Sequence, residues 1–207
     1  MSLVGNDVVD LGDSEISTSH RRERFVARVL SLRERESFER APDAKVCLWA
    51  HFAAKEAAYK VLVKSPGAAL LAHRQFEVAE DFSSVRHRET TLRLEVECGG
   101  AFVHAVAWAG PERPRWGVAT VAAGDDSSLA VRGLLLTELG GGAGLAVVRT
   151  PIPGSWDGFG PPRVMDGNVP LEVDISLSHD GRFVAWAVVS RTSRRCDRRS
   201  AEHPFLT

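Results

Sequence analysis

Three short stretches of this 207-residue chain place polar residues at spacings that could do chemistry. In Gly5-Asn6-Asp7-Val8-Val9-Asp10-Leu11, strand alternation puts Asp7 and Val9 on one face and Val8 and Asp10 on the other. A carboxylate in so apolar a strand is costly unless a cation or a metal pairs with it; an exposed strand end, or a helix-capping role for Asp10, would involve no chemistry. In Trp49-Ala50-His51-Phe52-Ala53-Ala54-Lys55-Glu56-Ala57-Ala58-Tyr59-Lys60, Glu56 and Lys60 stand four residues apart and share a helix face. Two readings are open. They could form an ordinary surface pair worth roughly 0.3 to 0.5 kcal/mol, or Glu56 could share a hard cation with Asp7 while Lys60 holds a phosphate as a point charge. In Asp174-Ile175-Ser176-Leu177-Ser178-His179-Asp180-Gly181-Arg182-Phe183, a strand ends at Ser178-His179 and a turn at Asp180-Gly181 begins the next. His179, beside a hydroxyl at a strand end, suits anion binding or proton transfer, or a plain edge hydrogen bond.

Each stretch needs an element to hold it. Residues 43 to 63 carry Val46, Trp49, Ala50, Ala53, Ala54, Ala57 and Val61 at three- and four-residue spacing, which predicts a core-packed helix stopped by Pro66-Gly67. Before it, His20 to Arg40 holds seven Arg and four Glu with Phe25, Val26, Val29, Leu30 and Phe38 interleaved. That pattern reads as an amphipathic helix followed by a second short one, or as a basic ledge for an acidic partner. From Gln75 to Ala123 the runs FEV, LRLEVE, FVHAVAWA and WGVATVAA read as strands of an antiparallel sheet, with a hairpin at Gly99-Gly100. Residues 127 to 139 return to a helical period, with Ser127 or Asp126 as N-cap and Gly140 to Gly142 as the stop. A strand at LAVVRT, a Pro/Gly loop to about Pro170 and the strands DISLSH and FVAWAVV complete the order. Helices followed by strands, twice over, predict an α+β fold built as a pseudo-two-fold pair, each half a helix packed on a small antiparallel sheet. The halves are 1–124 and 125–190, with a site in the cleft between them, and 191–207 forms an Arg-rich, disordered tail.

Composition narrows the function classes. A hydrophobic fraction of 44% with 26% charged residues is globular, and no apolar run reaches the roughly 18 to 20 residues that span a bilayer. The start of the chain carries Asp7, Asp10 and Asp13 and lacks the basic flank and apolar core of a secretory signal, so a cytoplasmic location is expected. Cys47, Cys98 and Cys196 lack metal-type spacing and read as packing residues. A net charge of -1 gives no basic field for nucleic acid. Neither nucleic acid nor membrane is an expected partner, and any bound anion must be held locally.

Together the three stretches resemble the motifs of the 4'-phosphopantetheinyl transferase superfamily. GNDVVDL is similar to that family's GxDxxE/D strand, WAHFAAKEAAYK to its WxxKEAxxK helix, and DISLSHDGRFVAWAVV to its SxSH strand pair; RFVARVLSLRERESF resembles the segment between the first two. The resemblance covers most of residues 1–78 and 126–190. It implies an enzyme with holo-acyl-carrier-protein synthase activity, which moves the 4'-phosphopantetheine arm of coenzyme A onto a serine of an apo acyl or peptidyl carrier protein and releases 3',5'-ADP. By resemblance, Asp7 and Glu56 bind Mg²⁺, with Asp10 as the shorter acidic variant at its position. Glu56 or Lys55 assists deprotonation of the serine, and Lys60 and His179, with Ser178 nearby, hold coenzyme A phosphates. Arg132 matches a nucleotide-contacting arginine. Gly160-Pro161-Pro162 stands where the surfactin-synthetase-activating type has Gly-Lys-Pro, which leaves Arg163 as the nearest replacement for the lysine. Arg21, Arg24 and Arg28 would meet the acidic helix of the carrier.

The alternative is a carrier-protein or coenzyme A binding module that has lost catalysis, but such a module would not need Asp7, Glu56 and Lys60 together. Motif order follows the shorter holo-acyl-carrier-protein synthase type, which builds its site between subunits. Length follows the surfactin type, a pseudo-dimer whose halves run in the opposite order. This chain therefore looks like a surfactin-type molecule with its halves exchanged, for which a monomer suffices. That reading expects the end of FVAWAVV near Val189 to lie close to Val4.

Overall fold

Alanine at the inward positions of one long helix lets a strand lie directly on it. The computed structural model describes residues 1–14, 16, 18–65, 72–152 and 158–191; the Pro66-Gly67 stop and the Arg-rich tail from residue 192 lie outside the described residues. The helix α3 (Ala44–Leu62) buries Ala53, Ala54, Ala57 and Ala58 completely. Asp43 caps it, its carboxylate accepting from the backbone N–H groups of Lys45 and Val46 at 3.0 Å. Against it runs β1 (Leu3–Asp10), and Gly5 is the point of closest approach: a Cβ there would sit 2.0 Å from the Ala57 carbonyl oxygen. The glycine of the first motif thus sets the spacing between strand and helix.

Two short helices, α1 (Glu23–Val29) and α2 (Leu32–Arg40), precede α3 and fill the 20–40 stretch as its periodicity predicts. After α3 come β2 (Phe76–Val78), β3 (Ser84–His87), β4 (Thr90–Cys98) and β5 (Phe102–Ala109), which with β1 form an antiparallel sheet of order β1-β5-β4-β3-β2. The next strand, β6 (Arg115–Thr120), departs from expectation. It leaves this sheet and pairs with β11 (Phe183–Ser190), which pairs in turn with β10 (Val173–Asp180), giving a second sheet of order β10-β11-β6. The Gly/Pro-rich break before Arg115 gives the chain room to change sheets. Asp126 caps α4 (Ser127–Glu138) by accepting from Leu129 N–H at 3.0 Å. The Pro/Gly region after it, expected as loop, contains β8 (Arg163–Asp166) and β9 (Val169–Pro170), which form a small third sheet with β7 (Leu145–Val148).

The fold is mixed α+β in layers. One face of the large sheet carries α3; the other packs on the second sheet through two apolar patches. Val4, Val106 and Trp108 meet Ala187 and Val189 in one patch, and Val8 meets Phe183 and Ala185 in the other. On the far face of the second sheet α4 buries Leu135 against Ile175 and Val188. A strand, a helix and a hairpin whose last strand returns to the first occur twice, in β1, α3, β4, β5 and in β6, α4, β10, β11. Val4 and Val189 share one apolar patch, so the ends expected to be neighbours are neighbours.

Candidate active site

Because β1 is an edge strand, its outward backbone groups need partners. Side chains supply them. The N–H groups of Val4, Asn6, Val8 and Asp10 donate to Asp174 Oδ2, Ser176 Oγ, Ser178 Oγ and Asp180 Oδ2 at 2.9, 2.9, 3.2 and 2.7 Å. Alternate residues of β10 thus close alternate residues of β1, which accounts for the Asp-x-Ser-x-Ser-x-Asp pattern of the third motif. The carbonyls on the same edge are met by lysines of α3 and of the turn after it: Lys60 Nζ donates to Asn6 O at 2.9 Å and Lys64 Nζ to Val4 O at 2.5 Å. Lys64 is further held by Asp174 Oδ2 at 2.7 Å, and burial lowers its pKa.

Asp7 stands where these three elements meet. Its Oδ1 accepts from Lys60 Nζ at 2.8 Å and from Ser178 Oγ at 2.9 Å, while Oδ2 takes no hydrogen bond from a described residue. Burial raises its pKa against the opposing pull of Lys60, and the negative charge of Glu56 raises it further. The Glu56 side chain is 18% exposed, and its Oε1 accepts from His73 Nε2 at 3.0 Å. Glu56 and Lys60 therefore share a helix face without pairing: each finds its partner off the helix.

The structure brings Asp7, Glu56, Lys60 and Ser178 together and places the other expected residues elsewhere. Lys55 turns into the core, fully buried, and donates to Glu34 Oε2 at 2.5 Å and to Val29 O at 2.8 Å. Successive helix positions diverge by about 100°, so Lys55 cannot accompany Glu56. Asp10 is held bidentately by Arg182, Nε to Oδ2 at 2.8 Å and Nη2 to Oδ1 at 2.7 Å, and this guanidinium keeps its carboxyl well below the usual range. Both of its oxygens thus face Arg182, on the opposite side of β1 from Asp7. The Asp180-Gly181 turn makes that contact possible: Gly181 has φ 51, and a Cβ on it would lie 2.5 Å from Asp10 Oδ2. By alternation His179 shares the Ile175 face of β10, the side on which α4 packs, and is exposed. Arg132 lies half-buried on α4 and Arg163 exposed at the start of β8. Cys47 and Cys98 are free thiols, and Cys196 lies outside the described residues.

Sequence spacing gave no sign of the roles of His73 and Arg182, which come from turns. Lys64 stands four residues after Lys60, which was a usable signal.

Carboxylate oxygens are the donors a hard divalent cation prefers, and Asp7 and Glu56 each keep one oxygen unclaimed by described residues. Among the described residues no group of three or more His, Cys, Asp or Glu is arranged to hold a metal. A cation here would rest on two carboxylates and complete its shell from water and substrate.

Acidic and basic side chains from β1, α3 and β10 thus converge along one strand edge of a layered α+β fold. The family model of the 4'-phosphopantetheinyl transferase superfamily matches residues 3–120, and the chain belongs to that superfamily. The match runs through β2 to β6, where no motif stood out in the sequence, and ends before DISLSHDG. Among solved structures the chain is similar to the holo-acyl-carrier-protein synthase (AcpS) of Thermotoga maritima, with 16% identity, a TM-score of 0.38, and coverage of 82% of this chain and 86% of that one. No curated protein matches the chain. No described helix is long and apolar enough to cross a membrane.

Proposed function

We propose that this protein transfers the 4'-phosphopantetheine arm of coenzyme A to a serine hydroxyl of an apo acyl or peptidyl carrier protein, in a Mg²⁺-dependent reaction that releases 3',5'-ADP. One observation carries the reading: residues from three separate motifs, Asp7, Glu56 with Lys60, and Ser178, meet at one edge of β1. Asp7 and Glu56 would hold the Mg²⁺, which when bound supplies positive charge beside the pyrophosphate. Lys60 is 30% exposed and already faces the acidic pair, so its ammonium can turn to a phosphate oxygen as that charge arrives. The serine oxygen forms a bond to the pantetheine-bearing phosphorus, the P–O bond to 3',5'-ADP breaks, and Glu56 assists transfer of the serine proton to water. Lys55 is engaged by Glu34 and leaves that proton transfer to Glu56. His179, Arg132 and Arg163, on or near the outer face of the second sheet, would serve the nucleotide end of coenzyme A. The exposed Arg21, Arg24 and Arg28 would receive the acidic helix of the carrier.

The test is incubation with coenzyme A, Mg²⁺ and several apo carrier proteins, with addition of the pantetheine arm read by mass spectrometry. Asp7→Ala and Glu56→Gln should each cut transfer by roughly a hundredfold or more with the fold intact. Coenzyme A or carrier binding without transfer would instead identify an inactive binding module. Near wild-type turnover by either variant at saturating Mg²⁺ would remove the metal assignment.

A further inference from the structure

Glu56 is a long side chain on a helix surface, and free in solution it would sample many rotamers. Here it does not stand alone. Phe52 lies one turn earlier on the same face of α3, and the imidazole of His73 spans both residues. Its ring stacks on Phe52, with centroids 4.8 Å apart and planes at 22°, while Nε2 lies 3.0 Å from Glu56 Oε1. A carboxylate only accepts hydrogen bonds, so His73 Nε2 carries the proton and donates.

The ring is itself fixed. Phe52 packs edge-on against Trp49 at 5.0 Å and against Phe25 of α1 at 6.3 Å, so the stack is anchored in two helices. His73 opens a 3-10 turn (His73–Gln75), and the next residue, Phe76, is fully buried as β2 begins. The His73 side chain is 14% exposed. None of these contacts is needed to bury apolar surface at Glu56; what they accomplish is to hold one carboxylate oxygen in place. The second oxygen is left without a described partner, and the charge of Glu56 is felt at Asp7.

Resting on the reading above, we propose that His73 is a positioning residue for the divalent cation: by holding Glu56 Oε1 it presents the other oxygen as a ligand alongside Asp7. Outer hydrogen bonds of this kind orient metal-binding carboxylates and raise affinity by limiting their freedom. His73 touches neither substrate nor metal in this arrangement, and its effect passes through Glu56.

The probe is Mn²⁺, an oxygen-preferring cation whose binding is read by electron paramagnetic resonance. It is titrated at one fixed pH into wild type, His73→Phe, His73→Gln and Glu56→Gln. Phenylalanine keeps the stack on Phe52 and removes the donor, so the Mn²⁺ Kd should weaken about tenfold at unchanged Tm. Glutamine places an amide N–H near the position of Nε2 and should bring the Kd back to within about threefold of wild type. If His73→Phe binds Mn²⁺ as wild type does while Glu56→Gln does not, the positioning role falls and the metal reading stands. Equal weakening in His73→Phe and His73→Gln with lowered Tm would also overturn it, as a plain packing effect. Wild type that binds no Mn²⁺ would overturn both the positioning role and the metal reading.

Discussion

His104 lies between the two apolar patches that join the sheets, and closing the interface requires its ring to be neutral. It is 1% exposed, Asn6 Nδ2 lies 3.2 Å from Nε2, and Nδ1 has no partner among the described residues. Asn6 of β1 and Glu97 of β4 flank it in the sheet. Glu95 and Trp116 of β6 line a cavity of about 230 Å³ beside it, and the charge of Lys60 reaches it from α3. Burial, with Lys60 adding to it, pushes its pKa from 6.5 down to about 3. As pH falls through 6.5 the unfolded chain takes up this proton and the folded chain does not until near 3, so the unfolded state binds more protons and stability is lost across that window. The loss is about 0.2 kcal/mol at pH 7 and about 2 kcal/mol at pH 5, where only the unfolded state has titrated. His104→Gln cannot titrate, and its amide oxygen can accept from Asn6. Urea unfolding at pH 7 and pH 5 should therefore show wild type losing about 2 kcal/mol more than the variant. His51 and His87, which burial also pushes down, are present in both proteins and cancel in the comparison. Equal acid losses for the two proteins would refute the reasoning.

Lys55→Met should destabilise by about 3 to 5 kcal/mol in urea unfolding because it strands the buried Glu34 carboxylate, and adding Glu34→Gln should recover part of that; wild-type stability in the single variant would contradict the account. Reversing two of Arg21, Arg24 and Arg28 to Glu should slow carrier association and flatten its salt dependence with little change in coenzyme A affinity, whereas unchanged kinetics at low salt would return this segment to an ordinary surface helix. A permuted chain running from Asp126 to Val189, through a short Gly/Ser linker, into Val4 to Gly124 should fold and keep its activity, since Val4 and Val189 share one apolar patch and the cut falls in a polar turn. An insoluble or molten permutant, seen by circular dichroism, would count against it.

Local patterns were legible where the forces are local. Alternation placed Asp7 and Asp10 on opposite faces of β1, where Lys60 and Arg182 meet them, and alanine spacing marked α3 to within a residue. The cap at Asp126 and the hairpins at Gly99-Gly100 and Asp180-Gly181 follow from turn chemistry. What escaped depends on distant partners. β6 follows the hairpin strands in sequence, and consecutive strands usually pair, so its union with β11 had no local sign. Short strands in a Pro/Gly-rich region hid β8 and β9 for the opposite reason, since their composition points to loop. The divergence of Lys55 from Glu56 was open to the helix period alone, but the identity of the partner, Glu34 from the capping box of α2, was not. His73 reaches Glu56 from a turn whose position no periodicity predicts.

The edge of β1 explains why the third motif alternates serine and aspartate rather than continuing as an apolar strand. Strands in a backbone ladder sit about 4.8 Å apart, and a neighbour at that distance would cover Asp7. Closing the edge with side chains satisfies the same N–H groups while holding β10 further off. Ser176 and Ser178 form the two inner rungs, with Asp174 and Asp180 outside them. There Ser178 Oγ accepts from Val8 N–H and donates to Asp7 Oδ1, so one hydroxyl both closes the backbone and fixes the carboxylate. Asp7 consequently keeps a side chain 12% exposed, held by two donors on one oxygen, with the other oxygen unclaimed by any described residue. A strand that must be both structurally closed and chemically open meets both demands only if its partner along that edge offers side chains in place of backbone.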